Sequence, residues 1–359
     1  MTMKYTPQLT SIYSLTLNEL QNEFSRNSFK ELGATELYRN LYKTFNSTLD
    51  NVPNIAENSI RFIKENYSLE LPKISKIQKS DDLTVKFLME MRDGYKVETV
   101  LIPFAKKYTI CLSSQVGCAM KCSFCFTGKQ GLARNLETHE IVGQYIIAYK
   151  WLRENRPEKI APPNIVFMGQ GEPLHNFDHV KKAIEIFLIA QGLHIGFRQI
   201  TLSTAGYLPG LKRYSELPNI NLALSLHSPV DEHRSTLIPL NKKFNLETLF
   251  KNLDEIKLLK RQFITYEYLL IKDLNDRDED IELLAKWLVN RRSLINIIPF
   301  NEFPGTPYKR PTNERVLYFR DGLEKYGLNA KIRTTKGGDI LAACGQLNTK
   351  EKLQEHSIF

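Results

Sequence analysis

The sequence predicts an α/β fold, a partial (βα)6 barrel with a small helical N-terminal accessory domain, and three observations carry that reading. From residue 108 onward, short runs rich in β-branched and aromatic residues alternate with amphipathic stretches, six times over. Just upstream, two strand-like runs flank Asp93-Gly94, a hairpin signal because Gly accepts the positive φ of a tight turn. Upstream again, three short amphipathic stretches precede Pro72.

In chain order, the spacing of apolar residues predicts helices over 15–24, 35–45 and 54–66, which form an accessory domain over 1–75. Strands over 84–91 and 95–102 form a β-hairpin extension over 76–105. Barrel strands follow at 108–114, 164–168, 199–203, 219–225, 263–271 and 294–300. Helices at 138–151, 177–190, 246–259 and 278–290 connect them, and one at 313–326 follows the sixth strand. The helix at 138 is the clearest: Ile141, Val142, Tyr145, Ala148, Tyr149 and Leu152 share one face. Glu137 and Glu140 sit at its start, where the helix dipole favours negative charge. Strand–helix alternation with right-handed crossovers gives a parallel sheet, with chemistry at the C-terminal strand ends. The barrel and a C-terminal loop occupy 106–347, and 348–359 is a tail.

Composition narrows the function. With 42% hydrophobic and 25% charged residues the chain can bury a core, which excludes a disordered protein. No apolar run reaches membrane-spanning length, and the first residues lack the basic head and apolar stretch of a signal peptide. The expectation is a cytoplasmic protein with no membrane partner. A formal net charge of +9 makes nucleic acid the first candidate partner. No Lys/Arg block forms a binding tail, so a generically basic soluble protein fits the charge equally well.

Five cysteines occur, and in the cytoplasm clustered cysteines read as metal-binding or catalytic. Cys118-Ala-Met-Lys-Cys122-Ser-Phe-Cys125 follows the first barrel strand. Structural zinc takes four protein ligands, so a zinc site here needs Cys111 or Cys344 as the fourth. An iron–sulfur cluster held by three cysteines keeps one iron open. The CxxxCxxC spacing, with Phe124 before the last cysteine, closely resembles the signature of the radical S-adenosylmethionine (AdoMet) superfamily. That resemblance implies a [4Fe–4S] cluster whose open iron chelates AdoMet and cleaves it to a deoxyadenosyl radical. Met168-Gly169-Gln170-Gly171-Glu172-Pro173, after the second barrel strand, resembles the superfamily's Gly-Glu-Pro element, which holds the AdoMet amino group. By itself it reads equally as a turn.

Further stretches match one family in order and spacing. They are Val97-Glu98-Thr99-Val100, Cys111-Leu-Ser-Ser-Gln115, Arg134-Asn135-Leu136, Leu202-Ser203-Thr204 and Ser225-Leu226-His227-Ser228. Asp231, Arg234, Leu237, Pro239 and Asn241 follow, then Asn301-Glu-Phe-Pro-Gly305 and Asp339-Ile-Leu-Ala-Ala-Cys344-Gly345-Gln346-Leu347. Over residues 84–347 the chain resembles the RlmN/Cfr family, radical AdoMet methyltransferases of adenine in ribosomal and transfer RNA. The resemblance implies that Gly171, Glu172, Ser203, Ser225, Leu226, His227 and Asn301 line the AdoMet site. It implies that Cys344 is first methylated and that its methyl carbon, made a radical, adds to adenine. Glu98 stands at the position of the base that removes the ring proton. Cys111 stands at the position of the thiol that attacks Cys344 in a thiol–disulfide exchange and releases the RNA. It also implies an electron donor such as flavodoxin or ferredoxin.

Blander readings stand beside these. Ser203 and Ser225 end strands and fit as turn caps, and Asn301 fits an ordinary loop. Cys344 fits an inert buried thiol. Glu98, alternating with Val97 and Thr99, fits a solvated strand face.

The substrate the resemblance implies is C2 of an adenosine in large-subunit (23S) rRNA, with tRNA as a second candidate. C8 methylation is the alternative within the family, and a non-catalytic zinc-stapled RNA-binding protein the alternative outside it. The sequence departs from the family at Phe126 and Gln170, beside the cluster and AdoMet motifs, and at Gly33 and Glu36 in the accessory domain. Lys106, Lys107, Lys129, Arg134, Lys331, Arg333 and Lys336 flank the motifs as candidates for phosphate contacts.

Overall fold

The computed structural model describes residues 9–104, 107–156 and 160–349, which leaves Lys106 and tail residues 350–359 outside the described residues. The strands in chain order are β1 (Lys73–Lys79), β2 (Val85–Glu90), β3 (Lys96–Phe104), β4 (Lys107–Cys111), β5 (Gln115–Gly117), β6 (Leu132–Asn135), β7 (Asn164–Phe167), β8 (Ile200–Thr204), β9 (Asn221–Ser225), β10 (Ile264–Leu270), β11 (Ser293–Pro299) and β12 (Ala330–Ile332). All except β5 and β6, which pair with each other, join one ten-stranded sheet in the order β1-β2-β3-β4-β7-β8-β9-β10-β11-β12. β1 to β4 pair antiparallel. From β4 through β12 every pairing is parallel. β1 and β12 lie at opposite edges, so the barrel stays open.

The six expected barrel strands are β4 and β7 to β11. Their apolar runs are buried nearly throughout, as a parallel sheet covered by helices requires. The hairpin forms as expected: Gly94 has φ +82°, and the Asp93 side chain accepts from the Tyr95 amide at 3.1 Å. Two strands of the sheet were not expected. β1 carries a bulge between Ile74 and Lys76, which breaks the two-residue alternation that marks a strand. The expected domain boundary at residue 75 therefore falls inside a strand. β12 is only three residues long and offers no period to read.

The helices are α1 (Leu17–Arg26), α2 (Glu31–Arg39), α3 (Glu57–Asn66), α4 (Thr138–Asn155), α5 (Phe177–Leu188), α6 (Leu208–Leu211), α7 (Asp231–Leu237), α8 (Leu246–Asp254), α9 (Asp278–Leu288) and α10 (Asn313–Lys325). α4 begins with the Glu140 carboxylate accepting from the Glu137 amide at 2.8 Å. The helix expected at 35–45 instead starts at Glu31 and ends in a π turn over Asn40–Thr44, closed by Phe45 at φ +56°. The N-terminal helices are tied to the barrel's outer layer by Glu19–Lys182 at 2.7 Å and by Arg153 donating to the Lys43 carbonyl at 3.0 Å. No described helix is long and apolar enough to cross a membrane.

One buried cation braces the barrel mouth. Arg234, on the short α7, is 1% exposed. It donates to the carbonyls of Ala205 (2.8 Å), Ser225 (3.0 Å) and Leu226 (3.1 Å) and to Asn241 Oδ1 (2.7 Å). Three of these acceptors close β8 and β9, so one guanidinium fixes both strand ends. Arg234→Met leaves buried carbonyls unpaired and should lower the unfolding free energy by about 3 kcal/mol. A denaturant titration checks this, and an unchanged midpoint contradicts the bracing role.

Candidate active site

The cysteine loop is anchored at its base by the β5–β6 pair. The Cys118 amide donates to the Gly131 carbonyl at 2.8 Å, and the Cys125 amide to the Cys122 carbonyl at 3.2 Å. Ser123 docks on α7 through its amide and the Leu237 carbonyl at 3.0 Å. Cys118, Cys122 and Cys125 all line one pocket at the C-terminal ends of the parallel strands. Burial pushes the Cys118 thiol up to about 12 and raises Cys122 and Cys125 as well, so a bound metal must displace their protons. Three cysteines lining one pocket can hold an iron–sulfur cluster with one iron left open to a ligand.

Gly171, Glu172, Ser203, Ser225 and His227 line the same pocket. Gly171 has φ +102°, and a Cβ there would sit 2.6 Å from Gln115 Cβ, so only glycine fits. Gln115 in turn accepts the Glu172 amide at 2.8 Å and orients the loop. The Glu172 carboxylate accepts from the Ala205 amide at 2.8 Å and the Leu174 amide at 3.1 Å. Burial nonetheless raises it to about 7, while those bonds and Thr204 oppose the shift. A cationic ligand beside it would restore its charge. His227 Nδ1 accepts from the Leu269 amide at 3.1 Å, and burial together with Arg234 lowers its pKa to about 3, so the ring is neutral. Its ring meets Phe124 edge-on at 4.7 Å.

Leu226 and Asn301 are not on this wall. The Leu226 side chain is fully buried in the main core. Asn301 lines an adjoining cavity, where its side chain accepts from Thr335 at 2.8 Å. That second cavity holds Cys111 and Cys344, and it shares Met168, Ile298, Arg333 and Cys344 with the first. The two thiols, 233 residues apart in sequence (344 minus 111), are thus brought together. Burial, and then the nearby Cys344, push Cys111 up to about 12. All five cysteines are free thiols, so a resting disulfide between Cys111 and Cys344 is not borne out.

Glu98 is buried, which corrects the solvated-face reading. It lines a third cavity, between the hairpin extension and the C-terminal loop, with Lys86. Lys86 pairs with it at 2.9 Å, and the Asn348 amide donates to its other oxygen at 2.6 Å.

Two departures from the family pattern act away from the AdoMet wall. Gln170 turns toward β3, where its side chain accepts the Glu98 amide at 2.9 Å. Phe126 packs edge-on against Phe303 at 5.2 Å, and its amide donates to the Gly345 carbonyl at 2.7 Å. Gly33 is buried beside Phe24, and Glu36 pairs with Arg39. Two candidate phosphate contacts are engaged otherwise. Arg134 is paired with Asp93 and Glu140. Arg333 lines the shared wall, and Cys344 raises its pKa most. Lys107, Lys129 and Lys331 are exposed.

The sequence reading missed Glu267, Lys86 and the wall role of Arg333. Glu267 is buried on the pocket wall and accepts from Asn296 at 2.7 Å. Its signal was present: one carboxylate interrupts the apolar run Ile264–Leu270.

Comparison with known proteins agrees with this geometry. The Radical SAM superfamily matches residues 112–288. The "Dual-specificity RNA methyltransferase RlmN" of Aliarcobacter butzleri is 41% identical, over 96% of this chain and 97% of that protein. The "Probable dual-specificity RNA methyltransferase RlmN" of Aquifex aeolicus is 39% identical over 94% and 97%. The crystal structure of a radical SAM methyltransferase from Sphaerobacter thermophilus superposes with a TM-score of 0.87 at 34% identity, covering 94% of this chain and 99% of that one.

Replacing one pocket thiol tests the cluster assignment. Cys122→Ala purified without oxygen should lose most of its iron and sulfide and should not cleave AdoMet under reducing conditions. Zinc in the parent protein, or full cleavage in the variant, contradicts it.

Proposed function

The chain belongs to the family of RlmN dual-specificity RNA methyltransferases, and from that premise we propose that it methylates C2 of an adenosine in 23S rRNA and in tRNA. The observation that carries the reading is the shared wall: Cys344 lines both the pocket of the clustered cysteines and the cavity of Cys111. A residue in that position can collect a methyl group on one side and be resolved by a thiol on the other.

Cys118, Cys122 and Cys125 would hold a [4Fe–4S] cluster, and Glu172, Gly171, Ser203, Ser225 and His227 would hold AdoMet against it. Together these groups supply a methyl donor and one-electron chemistry that makes an unreactive C–H bond reactive. The chain's own residues do the rest. The Glu172 carboxylate, fixed by two main-chain amides, would face the ammonium of AdoMet. Neutral His227 offers a polar edge without adding positive charge beside a sulfonium. Cys344 carries the methyl carbon to the adenine. Glu98 takes the ring proton. Cys111 then attacks the Cys344 sulfur: the S–S bond forms as the carbon–sulfur bond breaks. The carbon keeps the bonding pair and takes up the Cys111 thiol proton, and the methylated base departs, while the one electron left over from radical addition would go back to the cluster. Val100 and Cys111 are register partners on β3 and β4, and Glu98 lies two residues before Val100, so Glu98 and Cys111 share one sheet face, which supports the reading.

A small one-electron carrier such as flavodoxin or ferredoxin is the proposed reductant. The cytoplasm is the proposed compartment, since the reading needs free thiols and access to RNA.

Three results test this. Nucleosides of rRNA and tRNA from cells with and without the gene should differ in 2-methyladenosine; a difference in 8-methyladenosine would favour the C8 alternative. Cys111→Ala should keep its iron and its methyl group on Cys344, yet trap a nuclease-sensitive protein–RNA band on a denaturing gel. Cys344→Ala should pass no label from AdoMet to RNA, and labelled RNA from that variant rejects the methyl-carrier role.

A further inference from the structure

Lys86 is a lysine with almost no access to water, joined to two parts of the site. Its side chain is 7% exposed and that of Glu98 is 5% exposed, and their charged atoms are 2.9 Å apart. Register explains the meeting: Lys86 lies opposite Val100 and Leu88 opposite Glu98, so the two are diagonal neighbours on one face of the β2–β3 pair. The same ammonium donates to the Leu341 carbonyl at 3.2 Å, three residues before Cys344. A buried ammonium is costly unless paired, and its described partners are Glu98 and the loop that carries Cys344.

We propose that Lys86 is a positioning residue for the proton transfer, holding the Glu98 carboxylate in place against the loop that carries Cys344. This rests on the reading of Glu98 as the base and Cys344 as the methyl carrier. Lys86 occupies one oxygen of Glu98, and the Asn348 amide occupies the other. The second contact is a main-chain bond from the loop, so an incoming ring displaces Asn348 while Lys86 keeps its hold. In the step itself the ring C–H bond breaks, the proton passes to Glu98 and the electron pair stays in the ring. Glu98 must therefore be ionised beforehand. Burial raises its pKa, and Lys86 opposes that rise by charge and hydrogen bond, helped by the Asn348 amide. The other charged groups lining the cavity are Lys76 on β1, Lys96 on β3 and Asp339 on the loop. Without Lys86, the carboxylate protonates at a higher pH and the acid limb of the step moves upward.

The loop has other anchors: the Phe126 amide to Gly345, Thr127 to the Leu347 carbonyl at 2.8 Å, and Gln346 to the Glu302 carbonyl at 2.8 Å. Removing Lys86 should therefore spare the pocket chemistry. The experiment uses full-length, cluster-loaded protein with RNA, following Cys344 methylation, covalent RNA adduct and methylated adenosine across pH. Lys86→Met should keep iron content and Cys344 methylation, accumulate adduct, and release product about ten- to a hundredfold more slowly. Its acid limb should move up by about one pH unit. Lys86→Arg should recover most of the rate and the parental limb. Parental rate and limb in Lys86→Met, while Glu98→Gln accumulates adduct, overturns the role of Lys86 alone. Normal turnover by Glu98→Gln overturns the base assignment itself. Loss of iron or Cys344 methylation in both Lys86 variants assigns the ion pair to folding and also overturns the proposal.

Discussion

The hydrogen bond from the Phe126 amide to the Gly345 carbonyl joins the loop of the clustered cysteines to the loop of Cys344. One loop ends in Cys125 and the other carries Cys344. With the Thr127–Leu347 bond beside it, this contact sets Cys344 on the wall of the pocket that holds the clustered cysteines. Neither loop has regular structure able to impose that placement alone. Main-chain bonds of this kind satisfy the polar groups of irregular segments that have no ladder of their own. The Phe126 ring packs on Phe303 beside it.

Below the loops, the pocket is built from polar groups that the sheet would ordinarily reject. Glu172, His227, Arg234 and Glu267 are all buried at the C-terminal strand ends. Each has named partners, and those partners are mostly main-chain atoms of adjacent strands. Burial moves Glu172 and Glu267 upward and His227 and Arg234 downward, each toward neutrality. Arg234, at about 10, stays a cation at neutral pH, whereas the charge of Glu172, at about 7, stands in balance. A cationic ligand beside Glu172 would favour its ionised form.

The hairpin extension is part of the same sheet, because β3 pairs with β4 directly. That continuity gives Glu98 and Cys111 one shared face. It also explains why Gln170, a departure near the AdoMet motif, acts on the backbone of Glu98 instead.

Much of this was legible in the sequence for reasons of period and spacing. Six barrel strands and most helices follow from apolar periodicity, because a buried parallel strand and an amphipathic helix leave different repeats. The cysteine triplet and the Gly-Glu-Pro element were legible because both are local: their residues lie close in sequence, and both stretches line one pocket. β1 and β12 were not, one because a bulge breaks its alternation and the other because three residues have no period. Most other features were decided by the tertiary structure. Which cavity each residue faces depends on strands and loops far apart in the chain, as with Asn301, which leaves the first pocket, and Glu267, which enters it. Lys86, Glu98, Leu341 and Asn348 meet across more than two hundred residues. No local pattern encodes such a meeting, because it is the packing of the extension and the C-terminal loop that removes water from the ion pair and gives each charge its partner.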